Sequence, residues 1–159
     1  MATSRILIVN DDPDFGESLA EFLELCGFTV DIRCTGEAGI KAATTNSYEA
    51  ILMDIGLSGL NGVESLREIK RANSDTHVLL MSGFTAHDLE TQAIEAGALD
   101  VMEKPVDPRI LADRLLNLRD GTEELRLVVG RQQPTGIREI FHDPTLRRKS
   151  ISFALLLIG

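Results

Sequence analysis

Five short apolar runs, each followed by a segment of helical spacing, constrain this chain more than any other feature. The runs are RILIV (5 to 9), FTVDI (28 to 32), AILM (50 to 53), HVLLM (77 to 81) and LDVM (99 to 102). At four or five residues, mostly Val, Ile and Leu, they read as strands buried on both faces. Between them the apolar period changes. In DFGESLAEFLELCG the residues Phe15, Leu19, Phe22, Leu23 and Cys26 form one helical stripe, which Gly27 closes. Similar stretches cover about 35 to 43, 63 to 72, 85 to 96 (closed by Gly97) and 107 to 118, where Pro108 suits a first helical turn.

Five βα units in succession predict an α/β fold: a doubly wound, five-stranded parallel sheet with right-handed crossovers and helices on both faces. Five strands favour the flavodoxin-like order 2-1-3-4-5, whose ligands sit outside the carboxyl ends of the strands beside strand 1. That rule directs attention to the residues at the strand ends.

Charge divides the chain in two. Residues 1 to 118 hold nine Lys and Arg against twenty Asp and Glu, whereas 119 to 159 hold seven against five. The acidic body argues against direct nucleic-acid binding by residues 1 to 118. From 119 the pattern breaks into turn signals at Asp120-Gly121, Pro134, Gly136 and Pro144, so 119 to 159 is expected to be a linker and an extension of no assigned structure. The longest apolar run, ISFALLLIG (151 to 159), is nine residues, and a spanning helix needs roughly 20. With no secretory leader pattern at the start, a cytoplasmic chain without a membrane segment is expected, with Cys26 and Cys34 reduced and core-packed.

Strand 1 runs into Asn10, Asp11 and Asp12; strand 3 ends at Asp54, strand 4 at Ser82, and strand 5 at Glu103, Lys104 and Pro105. In the predicted order strands 1, 3, 4 and 5 are neighbours, so these side chains converge on one rim. Crowded carboxylates repel, and a hard divalent cation with oxygen ligands, Mg²⁺ or Mn²⁺, relieves the repulsion. A carboxylate, a metal, a lysine and a hydroxyl around one point suit a transferring phosphoryl group, with the carboxylate itself as nucleophile. Asp12, ahead of Pro13, is equally suited to cap the first helix.

The steps Asp11 to Asp54 to Ser82 to Lys104, 43, 28 and 22 residues long, resemble the receiver domain of two-component response regulators. The motifs LIVNDDPDF, ILMDIGLSGLNGVE, VLLMSGF and GALDVMEKPVDP carry the resemblance across residues 5 to 118. It implies a signalling domain with no enzymatic turnover of its own beyond self-phosphorylation and self-dephosphorylation. Asp54 would accept a phosphoryl group from a histidine kinase or phosphotransfer protein. Asp11 and Asp54 would ligate Mg²⁺ with the Gly56 backbone carbonyl, Asp12 would support the metal through water or cap the helix, Ser82 would be the switch hydroxyl, and Lys104 would contact the phosphoryl group through a Lys-Pro pair often found in cis. A downstream effector, or a second copy, would dock on the face of helix 4, strand 5 and helix 5. Gly56 offers no side chain to orient water and Phe84 could shield the acyl phosphate, so slow self-dephosphorylation is expected.

Three positions depart from the family pattern. Asn10 stands where an acid is usual, Ser58 where a proline is usual, and Val101 where a tyrosine or phenylalanine usually swings inward. Asn10 is expected to weaken Mg²⁺ binding without abolishing it. Val101 implies a signal carried by loop and helix movement with no rotating ring. These departures also motivate an alternative, a degenerate receiver that binds partners without phosphorylation. A phosphatase of the haloacid-dehalogenase type, using Asp12 and Asp14 as its paired acids, is a third reading; it places the nucleophile poorly, since that residue should end a strand.

Overall fold

The computed structural model describes residues 4 to 83 and 87 to 120. They form the elements β1 (Arg5–Val9), α1 (Pro13–Leu25), β2 (Thr29–Arg33), α2 (Gly36–Thr45), β3 (Ala50–Asp54), α3 (Gly62–Ala72), β4 (Val78–Ser82), α4 (His87–Glu95), β5 (Asp100–Glu103) and α5 (Pro108–Asp120). The strands make one parallel sheet in the order β2-β1-β3-β4-β5, as the βα alternation predicts.

Alternation along each strand builds two cores. Ile6, Ile8, Leu52, Leu79 and Met81 face α1 and α5 with Phe15, Leu19, Leu23, Leu111 and Leu115. Leu7, Val9, Ile51, Met53, Val78 and Leu80 face α2, α3 and α4 with Val63, Leu66 and Ile69. In β1 and β3 the side chains Ile8 and Leu52 are fully buried, and truncating either to alanine should cost about 2 to 5 kcal/mol.

Four expectations need correction. β2, β3, β4 and β5 each end one residue later than the apolar runs suggest, so Asp54 and Ser82 are the last residues of their strands. Backbone pairing to a neighbour, which the apolar pattern does not register, decides where a strand stops. β2 and β5 are only partly buried, because they are the sheet's edges and lack a strand on one side. Cys34 is exposed, whereas Cys26 packs against the α1/α5 core, where burial raises its thiol to about 11. Finally, α5 runs to Asp120, two residues past the end at 118 that its helical spacing suggests, and of the extension expected over 119 to 159 residues 121 to 159 lie outside the described residues.

Candidate functional site at the carboxyl rim of the sheet

Parallel register assembles the rim. Val9 pairs with Met53, Asp54 with Met81, and Ser82 with Glu103, so β1, β3, β4 and β5 all end at one level. Asn10 continues β1, its N–H donating to the Arg33 carbonyl at 3.0 Å. By that register Asn10 lies beside Asp54.

Asp54 is 7% exposed at the end of β3. Its Oδ2 accepts a hydrogen bond from Lys104 Nζ at 2.7 Å, and its Oδ1 accepts one from the Gly56 N–H at 2.9 Å. The carboxylate is thus held by a cation on one oxygen and a backbone amide on the other. The GLNG turn that follows makes room for this. Asn61 caps α3 in a reciprocal box with Glu64. A Cβ at Gly62 would lie 2.5 Å from the Asp54 carbonyl oxygen, so only glycine lets α3 start against this strand end.

Lys104 reaches Asp54 from the end of β5. Its backbone N–H donates to the Ser82 carbonyl at 2.7 Å, its bond to Pro105 is cis as the resemblance implies, and its ammonium sits 5.4 Å from the centroid of the Phe15 ring. At that distance the ring, in the first turn of α1, steadies the cation. Sequence reasoning assigned Phe15 to the core stripe alone; its position in the first turn of α1, just past the acids, is the signal that it also borders the site. Ser82 is buried at the end of β4, beside this group.

The three residues after β1 take different roles. Asp11 is exposed, and its Oδ2 accepts a hydrogen bond from Ser58 Oγ at 3.3 Å, across the loop that follows β3. Asp12 is the N-cap of α1: its Oδ1 accepts from the N–H groups of Asp14 and Phe15 at 3.1 and 3.3 Å. That capping commits Asp12, one of the two acids on which the phosphatase reading depended. Asn10 is 1% exposed; its Oδ1 accepts from the Asp12 N–H at 2.8 Å, while Nδ2 is buried with no hydrogen-bond partner.

Among the described residues no three His, Cys, Asp or Glu side chains are grouped closely enough to hold a metal ion. The residues that could hold a cation at this rim are those the resemblance implies, Asp11, Asp54 and the Gly56 carbonyl, with water completing the shell. That set consists of hard oxygens, one of them on a half-neutralised carboxylate, and suits Mg²⁺ better than a softer ion.

A family model for the response regulator receiver domain matches residues 6–116. The chain belongs to the response regulator receiver family. Among curated relatives, the regulatory protein VanRB of Enterococcus faecalis is 34% identical over 161 residues, covering 97% of this chain and 72% of that protein. The transcriptional regulatory protein CusR of Escherichia coli is 34% identical over 101 residues, 64% of this chain and 44% of its own length. The receiver thus spans less than half of CusR and 50% of the Bacillus subtilis regulator YkoG. Among solved structures, a CheY-like receiver domain from Methanospirillum hungatei superposes with a TM-score of 0.73 at 27% identity, covering 78% of this chain and 99% of that one. The beryllofluoride-activated DrrB receiver domain superposes with a TM-score of 0.68 at 26% identity, covering 75% of this chain and 99% of that one. As a receiver, the chain is a signal-transduction domain of two-component systems and not a classical enzyme. No described helix is long and apolar enough to cross a membrane.

Proposed function

We propose that this receiver accepts a phosphoryl group on Asp54 from a histidine kinase or a histidine phosphotransfer protein. The observation that carries the reading is the Lys104–Asp54 pair at 2.7 Å, at the end of a buried central strand and one strand away from Asp11. A carboxylate oxygen of Asp54 attacks phosphorus in line with the donor's P–N bond; the new O–P bond forms as that bond breaks and the donor imidazole leaves. The Gly56 N–H, already aimed at the carboxylate, and the Lys104 ammonium can both follow the charge onto the phosphoryl oxygens. Mg²⁺ or Mn²⁺, held by Asp11, Asp54 and the Gly56 carbonyl, would supply the remaining charge neutralisation. Ser82, buried at the end of β4, would be the switch hydroxyl.

Phosphorylation alters the end of β4 and the surface beyond it. Glu90, Thr91, Ile94, Glu95, Asp100 and Val101 line a groove between α4 and β5, with Ile94 52% exposed. We assign this face to a downstream protein or a second copy of the receiver. The names of the relatives support transcription as the process controlled, while the acidic body supports output through protein contact and not through direct nucleic-acid binding by residues 1 to 118. Gly56 places no side chain where attacking water could be oriented, so the aspartyl phosphate should last far longer than seconds. Phe84, the expected shield, lies outside the described residues.

Treatment with acetyl phosphate and Mg²⁺ followed by mass spectrometry tests the assignment. A single phosphoryl adduct on Asp54 is expected. An adduct elsewhere would overturn the assignment to Asp54, and none at saturating Mg²⁺ would favour the phosphorylation-independent binding module that Asn10 motivates.

A further inference from the structure

Asn10 is the residue at the rim that the phosphoryl-acceptor reading leaves unused, and its burial is unusual for what it lacks. The side chain is 1% exposed, yet Nδ2 has no hydrogen-bond partner. Its orientation is fixed by chemistry: the Asp12 N–H can only donate, so the amide atom that meets it at 2.8 Å is the carbonyl oxygen, and Nδ2 must be the other. Buried donors without partners are rare in folded proteins and tend to mark a functional position.

Register shows where this donor lies. Val9 and Met53 pair across β1 and β3, and both face the α2/α3 core. Their successors, Asn10 and Asp54, therefore project to the opposite face at the rim, the face where Lys104 sits against Phe15 of α1. Adjacent parallel strands lie about 4.8 Å apart, so a group attached to Asp54 comes within reach of an amide on Asn10. The unmodified carboxylate is already committed to Lys104 and Gly56 and leaves Nδ2 unbonded.

We propose that Asn10 Nδ2 is a donor held in reserve for the oxygens of the group carried by Asp54, an inference that rests on the reading of Asp54 as the phosphoryl acceptor. An ionised carboxylate at this position could only accept, and would add a negative charge that a cation must offset. The amide does the reverse: it contributes a hydrogen bond to the phosphoryl group and asks nothing of the metal. The site trades cation affinity for a built-in donor.

The test uses the full 159-residue chain and beryllofluoride, a phosphoryl mimic, with Mg²⁺ binding measured separately. Asn10→Ala should lower beryllofluoride affinity at saturating Mg²⁺ about 10-fold, the scale of one hydrogen bond to a charged group, while Mg²⁺ affinity stays within about two-fold. Asn10→Asp keeps an oxygen for the Asp12 N–H; it should bind Mg²⁺ more tightly, yet bind beryllofluoride no more tightly than wild type once Mg²⁺ is saturating. Unchanged beryllofluoride affinity in Asn10→Ala overturns the inference, as does an equal loss of Mg²⁺ and beryllofluoride binding, which would make Asn10 a structural residue. If Asn10→Ala does not fold, tighter beryllofluoride binding by Asn10→Asp at saturating Mg²⁺ overturns it. Failure of the wild type to bind beryllofluoride at all overturns the phosphoryl-acceptor reading as well, and so separates the two failures.

Discussion

Two aspartates in this sheet are paired with cations at similar distances, and they serve opposite ends. Asp31, in edge strand β2, accepts from Arg5 at 2.5 Å and from the Tyr48 hydroxyl at 2.7 Å, both on Oδ2. The Arg5 guanidinium also lies 5.2 Å from the centroid of the Tyr48 ring, closing the group into a triangle. Asp54, at the end of central strand β3, accepts from Lys104 on one oxygen and the Gly56 amide on the other. Asp31 pins an edge strand to the chain around it, through partners that pack on each other. Asp54 stands at the topological switch of the sheet, and in the proposed function its donors pass to a larger anion. An ion pair alone does not distinguish structure from chemistry; its place relative to the strand ends does.

The largest expected difference is in phosphoryl acceptance. Asp54→Asn should abolish labelling by acetyl phosphate, and Asp31→Asn should leave it intact. Labelling of both variants, measured by intact mass, would erase the distinction drawn between the two pairs. Next comes the cation. Lys104→Met should lower beryllofluoride affinity by about 10-fold or more, since it removes a charge-assisted bond to the modified group. Arg5→Met should leave that affinity unchanged and lower the melting temperature.

How much of this contrast the sequence revealed depends on the range of the interaction. The placement of Asp11, Asp54, Ser82 and Lys104 at one rim was legible because strand ends show as breaks in an apolar pattern. The order of the sheet was legible from the count of five successive βα units. Asp31 was not, because a carboxylate inside an apolar run announces neither the edge position that keeps it partly exposed nor the tyrosine 17 residues later that binds it. The roles of Asn10, Asp11 and Asp12 were adjacent in sequence but diverged in space. One residue of shift along the β1 exit separates a buried amide, an exposed carboxylate and a helix cap, and only the backbone path decides which is which.

A smaller effect separates the pairs by pH. Hydrogen bonding from Tyr48, with Arg5 adding to it, holds the Asp31 carboxyl below the usual carboxylate range, although burial opposes this. The Asp31 contribution to stability is therefore complete above the unfolded-state value near 4 and is lost as pH falls through the lower folded value. Burial, and then Asp31, push the Tyr48 phenol above its ordinary value. Its contribution is complete below about pH 10 and is lost as pH rises through the folded value. Tyr48→Phe should cost about 1 kcal/mol at neutral pH, and less at both extremes. Urea unfolding of wild type and variant from pH 3 to 11 checks this, and a constant difference across the range would break the assignment. Labelling of Asp54 should not change.

The smallest expected effect tests how the rim differs from a simple latch. Ser58 Oγ donates to Asp11 Oδ2 at 3.3 Å, a long bond between exposed groups. Under the proposed reading, in which Asp11 ligates Mg²⁺, this bond draws on the same carboxylate and competes with the cation for it. Ser58→Ala should therefore raise Mg²⁺ affinity, by about two- to three-fold, because an exposed bond of this kind is worth only a few tenths of a kcal/mol to about 1 kcal/mol. The Asp31 group predicts the opposite pattern for its own hydroxyl, whose removal loosens what it holds. If Ser58→Ala instead weakens Mg²⁺ binding, Ser58 orients Asp11 toward the metal, and the rim carboxylate is pinned as firmly as the one at the sheet's edge.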